Sequence, residues 1–129
     1  MKGSCLCGAV TYQVTGLLRS VVGCHCVQCR KTSGHFVAAT QAANKDLHVE
    51  GGEALRWYRS SDVAERGFCV ACGSSLFWRR VDAAETSIMA GTLDGATGLT
   101  MDRQLYPEDK GDYYDLPTAQ VVPQSSLTR

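Results

Sequence analysis

Seven cysteines in three tight groups limit what this chain can fold into more than any other feature. Cys24, Cys26 and Cys29 fall in the run Cys24-His25-Cys26-Val27-Gln28-Cys29-Arg30-Lys31. Cys5 and Cys7 stand near the start, and Cys69 and Cys72 lie beyond the middle. Cys-x-x-Cys is a zinc-knuckle spacing, because the turn between the two residues aims both sulfurs at one tetrahedral ion. The thiols divide most simply into four plus three. The four make a closed site, and the three leave a metal with one open coordination position.

The division carries chemistry. Structural zinc takes four protein ligands, whereas catalytic zinc keeps three and lends the fourth position to water or substrate. An ion held by three thiolates has a formal charge of about −1 and is a weak Lewis acid compared with one held by imidazoles. It suits an incoming thiol, which coordination deprotonates, better than it suits water. The triad therefore reads as a thiol-binding reaction centre. His25 lies between two ligands and is itself a candidate ligand. With Cys29 available as the third thiol, His25 is expected to face solvent or to support the ligands from behind.

Cysteine usage also bears on compartment. Seven is odd, and Cys5/Cys7 or Cys24/Cys26 are too close in sequence to pair well as disulfides. A reducing cytoplasm with metal-bound thiolates is the expectation. Residues 1–5 contain no apolar stretch of the signal-peptide kind, and no apolar run approaches the roughly 20 residues of a membrane span. Formal net charge is zero, which argues against nucleic acid as the main partner. At 129 residues the chain is expected to form one domain, over residues 1–115, followed by a tail at 116–129 that is loosely docked or frayed.

The pattern between the cysteines is that of short strands. Cys-x-Cys on a regular strand would hold its sulfurs about 6.5 Å apart along the chain, too far for one zinc, so the backbone around Cys5 and Cys7 must bend. Gly3 and Gly8 permit this; the alternative is a pair of buried thiols at a strand start. Residues 9–15 alternate Val10, Tyr12 and Val14 with Thr11, Gln13 and Thr15, as in a half-buried strand. Further strands are expected at 20–23, 35–40, 47–49, 54–59, 76–79 and 86–91. One helical turn after Cys29 would end at Gly34. Residues 92–114 should be mostly loop with short strands. Tyr106, Tyr113 and Tyr114 either line a substrate pocket or cover the sheet, and covering is the plainer reading. Arg30 and Lys31 are candidates to lower thiol pKa and to meet substrate carboxylates, or form an ordinary solvated pair.

With these motifs placed, the chain resembles the glutathione-dependent formaldehyde-activating enzyme family, which also contains centromere protein V. The resemblance lies in residues 3–8, 24–31 and 68–77, and spans roughly residues 3–115. It implies a mainly β, β-tent fold of small antiparallel sheets around two zinc-knuckle sites. It also implies a structural zinc on Cys5, Cys7, Cys69 and Cys72, and a second, more labile zinc on Cys24, Cys26 and Cys29. The implied activity is that of a carbon–sulfur lyase, adding glutathione to formaldehyde. One segment departs from the pattern, with Gln104 where family members often carry His and Tyr113 where Trp is common. Two other readings compete with an enzyme: a zinc module that binds a macromolecule, and a redox sensor in which the triad loses zinc and forms a disulfide.

Overall fold

A computed structural model describes residues 1–117 and the backbone of the two-residue strand at 120–121. Lys2–Ser4 (β1) and Thr11–Val14 (β2) form an antiparallel pair that opposes Gly3 and Tyr12. In β2 the buried Tyr12 and Val14 alternate with the exposed Thr11 and Gln13, as the side-chain period of a strand requires. Val21–Cys24 (β3) leads into the helix Val27–Ser33 (α1). The strands Val37–Ala43 (β4), Leu47–Glu50 (β5), Leu55–Arg59 (β6) and Ala64–Cys69 (β7) follow. Ser75–Arg80 (β8), Glu85–Met89 (β9), Met101–Leu105 (β10) and Gln120–Val121 (β11) complete the order.

The fold is mainly β, as expected. β1, β2 and β5 make a three-stranded sheet, and the other strands a larger one in the order β11-β10-β3-β4-β9-β8-β7-β6. Pairing is antiparallel except at one edge, where β10 runs parallel to β3 and to β11. Of the tail at 116–129, the backbone of 120–121 extends that edge, while residues 118, 119 and 122–129 lie outside the described residues.

Two elements differ from expectation for local reasons. The helix begins at Val27, inside the cysteine triad, because the Cys26 sulfur caps it by accepting from the Cys29 N–H at 3.4 Å. Gly34, at φ 79°, ends it as expected and donates its N–H to the Arg30 carbonyl. β7 was not foreseen because Glu65, Arg66 and Gly67 read poorly as a strand. Its glycine has a packing role: a Cβ at Gly67 would stand 3.2 Å from the Trp57 ring, which lies over this strand.

The main core lies between the sheets. Val10, Tyr12 and Val14 from the small-sheet side pack with Ala42, Leu76, Phe77 and Ile88 from the larger sheet. Tyr12 meets Phe77 edge-on at 5.3 Å and its hydroxyl hydrogen-bonds Thr92 at 2.6 Å. Leu76 is fully buried here. Leu76→Ala is expected to cost about 2–5 kcal/mol, from lost apolar burial plus the cavity left behind. Urea denaturation at constant metal would measure it, and a loss under about 1 kcal/mol would mean that the core relaxes around the deletion. The opposite face of the larger sheet, with α1 against it, carries the functional features.

Candidate metal centres

The two ends of the Cys5–Cys7 and Cys69–Cys72 segments meet where the sheets join. All four sulfurs lie within 4.8 Å of one another. Cys5 and Cys7 stand 3.7 Å apart, and Cys7 and Cys69 3.9 Å. Sulfurs bound tetrahedrally at about 2.3 Å are about 3.8 Å apart, so this set fits a four-thiolate metal ion. The backbone bends as required. Gly8 turns at φ 81° and Gly73 at φ 79°, and the Gly73 N–H closes the knuckle on the Cys69 carbonyl at 2.8 Å. The Val10 N–H donates to the Cys5 sulfur at 3.3 Å. Ser74 ties the two segments together, its oxygen accepting from the Leu6 N–H at 2.9 Å while contacting the Cys72 sulfur at 3.2 Å. The Ser74 hydroxyl, followed by its backbone N–H, pulls the Cys72 thiol down to about 5.

The triad is the second cluster. Cys24 comes from the end of β3, Cys26 caps α1, and Cys29 is the buried residue of the first helical turn. Their sulfurs also lie within 4.8 Å of one another, so this set too could hold a metal. Hydrogen bonds from Cys24 and then Cys29 pull the Cys26 thiol down to about 2, and the same crowding pushes Cys24 far above the ordinary thiol range. Three thiols this close concentrate negative charge on one sulfur. A divalent cation among them would let all three ionise.

His25 is neither a ligand nor solvent-facing. Alternation along the chain sends Cys24 and Cys26 toward one side and the intervening imidazole to the other, where it is fully buried. Its Nε2 lies 2.5 Å from Oε1 of Gln104 and its Nδ1 2.6 Å from the Tyr114 hydroxyl. The Gln104 oxygen can only accept, so Nε2 carries the proton and Nδ1 accepts from Tyr114. Burial holds the imidazole pKa below its ordinary value, in keeping with this neutral form. Phe36 and Tyr114 stack on the ring at 4.7 and 5.6 Å. Gly23 makes room for this arrangement, since a Cβ there would collide with Oε1 of Gln104. The glutamine that departs from the family pattern thus fixes the imidazole between Cys24 and Cys26. Gln104→Leu would leave a buried N–H without an acceptor, at an expected cost of about 1–3 kcal/mol. Thermal melts would show it, and a variant as stable as wild type would mean that His25 finds another partner.

A cavity of about 290 Å³ opens beside the triad. Its floor is three rows of residues that oppose one another across the larger sheet. Leu105, Cys24 and Val37 form the row at the sulfurs, and Arg103, Val22, Ala39 and Met89 the next. Gln41, Ser87, Trp78 and Arg66 form the third. Tyr106, buried and in the left-handed region at φ 52°, also lines this space instead of merely covering the sheet. Tyr114 packs instead on His25 and Phe36, and Tyr113, with its ring largely exposed, packs on Tyr114 and His35.

Among the described residues, the cations that line the cavity are Arg19, Arg66 and Arg103, none of which the sequence motifs singled out. Arg66 Nη2 lies 3.6 Å from the Cys29 sulfur and 3.3 Å from Oε1 of Gln28. A guanidinium donating to a ligand sulfur spreads its negative charge. The signal for Arg66 was its position three residues before Cys69, but only strand pairing brings it to Cys29. Arg30 and Lys31 sit on α1, outside the cavity lining; Nε of Arg30 is buried without a hydrogen-bond partner, and Lys31 is exposed.

Comparison with known proteins agrees with this geometry. The profile of the glutathione-dependent formaldehyde-activating enzyme family matches residues 1–109. A protein of Schizosaccharomyces pombe named as an uncharacterized lyase is 31% identical over 115 residues, covering 88% of this chain and 83% of its own length. A crystal structure of a Rhodobacter sphaeroides protein superposes with a TM-score of 0.65 at 32% identity, covering 76% of this chain and 92% of that one. Cysteine groups, mainly β fold and sequence match converge: the chain belongs to the glutathione-dependent formaldehyde-activating enzyme family.

Proposed function

We propose that this protein is a zinc-dependent enzyme of carbon–sulfur chemistry, of the lyase type, that adds a thiol such as glutathione to formaldehyde or a related small electrophile. The observation that carries the reading is the open triad: three converging sulfurs that all line one cavity. Thiolate sets of four and three suit zinc, one structural and one catalytic ion per chain, the second more easily lost. Zinc held by the triad would keep a coordination position for an incoming thiol and favour its thiolate form. Family membership and a relative named as a lyase support the reaction class.

The chain's own residues have distinct parts in this reading. Cys24, Cys26 and Cys29 hold the ion, and the packing of His25 against Gln104 and Tyr114 keeps two of them in place. Val37 and Leu105 flank Cys24 with apolar side chains, and Val22 and Ala39 continue that surface one row on, which strengthens electrostatic interactions there. Arg30 and Lys31 supply positive potential on α1 and are candidates for substrate carboxylates. In the addition, one sulfur–carbon bond forms and the carbonyl becomes a hydroxyl, with the thiol proton ending on that oxygen. No electron acceptor is needed. Residues 1–115 are proposed as the catalytic unit and the reducing cytoplasm as its compartment, where thiolate-bound metal persists. Among the described residues no helix is long and apolar enough to cross a membrane.

The test joins elemental analysis to the rate at which glutathione and formaldehyde form their adduct, followed by NMR. About two zincs per chain and a rate well above the uncatalysed background are expected. One zinc per chain, no glutathione binding and no rate enhancement would sink the reading.

A further inference from the structure

The three sulfurs of the triad are held by different means. Cys24 ends β3, where pairing to β4 and β10 fixes its backbone. The Cys26 sulfur accepts from the Cys29 N–H at 3.4 Å. Cys29 stands on α1, a helix of seven residues. A helix that short has little stability of its own, so contacts with the rest of the fold must fix its position. One set of contacts runs to the hairpin of β6 and β7. Nε2 of Gln28 donates at 3.3 Å to the Ser60 carbonyl, in the turn of that hairpin. Oε1 of Gln28 accepts from Nη2 of Arg66 at 3.3 Å, and the same Nη2 donates to the Cys29 sulfur at 3.6 Å.

Arg66 is an unusual residue for this place. It lies in the middle of β7, opposite Tyr58 and Trp78, on the face that lines the cavity. Its Nε is buried without a hydrogen-bond partner. Glu65, its neighbour in β7, belongs to the other face by alternation and pairs with Arg79 at 2.7 Å. Burying part of a guanidinium is costly unless negative charge lies beside it. The triad's thiolates supply that charge where Arg66 reaches Cys29. In the four-sulfur cluster the groups facing the sulfurs are uncharged, the Val10 N–H at Cys5 and the Ser74 hydroxyl at Cys72. At the triad the donor is charged, and the site has one protein ligand fewer to hold an ion.

We propose that Gln28 and Arg66 form a clamp that positions the Cys29 sulfur and so decides how firmly the triad holds its metal ion. Gln28 fixes Arg66 relative to α1, because one side chain bonds both the turn at Ser60 and the guanidinium. Arg66 in turn orients the third sulfur and offsets part of the charge that three thiolates carry. A site with three protein ligands loses its ion readily when one is misplaced, since two thiolates do not fill a tetrahedral zinc. Partners that orient a ligand from behind contribute to affinity for this reason. Both are positioning residues, acting on the ion through Cys29. This inference rests on the proposed metal at the triad and adds what keeps that metal in place.

The probe is cobalt at the triad of protein whose four-sulfur cluster holds zinc. It is read by competition with a chelator and by the thiolate-to-cobalt absorption band, without any need for turnover. Arg66→Met is expected to bind this cobalt about 10–100-fold more weakly than wild type, the usual effect of removing a residue that orients a ligand. A hydrogen bond stabilises the sulfur electrons, so its loss should also move the band to longer wavelength. Gln28→Leu should do both to a lesser degree, and Arg66→Lys should recover part of the affinity by restoring the charge. Arg56→Met removes an exposed positive charge from the adjacent strand and should change neither readout. An Arg66→Met variant that matches wild type in affinity and band would overturn the clamp. So would an affinity loss with an unmoved band, or an equal loss in Arg56→Met, since packing or general charge would then explain it. Should Arg66→Met fail to fold, Gln28→Leu and Arg66→Lys carry the same test. No cobalt bound at the triad of wild type would overturn the proposed metal site, and the clamp with it.

Discussion

Cys69→Ser is expected to lose about one metal equivalent per chain and, with it, cooperative folding. Cys69 is completely buried, closes β7, and belongs to the main core as well as to the four-sulfur cluster. That cluster links the loop between β1 and β2 to the turn between β7 and β8, so it joins the small sheet to the large one. Metal binding at such a site is folding free energy, on the order of 10 kcal/mol in small zinc domains, and replacing one thiolate removes a large share of it. That share exceeds or rivals a whole domain's typical stability of about 5–15 kcal/mol. Elemental analysis with circular-dichroism melts would measure the effect. A variant that melts within a few degrees of wild type with its metal intact would show that the cluster is dispensable to the fold.

Cys29→Ser is expected to do the opposite: keep the fold and lose the chemistry. Its sulfur lies outside the main core, in a small cluster with Cys26, Val37 and Tyr106. The variant should fall from about two zincs to one while melting close to wild type. Under the proposed reaction, adduct formation should drop by at least about 100-fold, the upper end of what even indirect perturbation of a metal ligand costs. Loss of adduct formation together with retention of both metals would mean that Cys29 serves the reaction without being needed to hold the ion. Retention of activity with one metal would make the triad non-catalytic. The pair of variants separates the two clusters by readout, stability for one and activity for the other.

Much of the site was legible in the residue order. Cysteine spacing is local information, since a knuckle's turn needs only its own few residues. The groupings of four and three, the bend at Cys5 and Cys7, and the stop at Gly34 are all present in the structure. Half-buried strands such as β2 and β6 were legible too, because alternation is imposed by one dry face. β7 was not, because its glycine serves the Trp57 ring of a neighbouring strand. The helix start was placed late because a cysteine is an unusual cap.

The sequence by itself determined which residues could hold metal and that the fold would be mainly β, both being matters of spacing and period. What lies opposite what was decided only by tertiary structure. Gln104 meets His25 across 79 residues of chain, and Arg66 meets Cys29 across 37. Arg19 and Arg103 share one cavity because β10 enters the sheet parallel to β3 with a shifted register. Such pairings depend on strand order and register, which the chain settles by burying one face of the larger sheet against the smaller one. No short window of residues contains that choice.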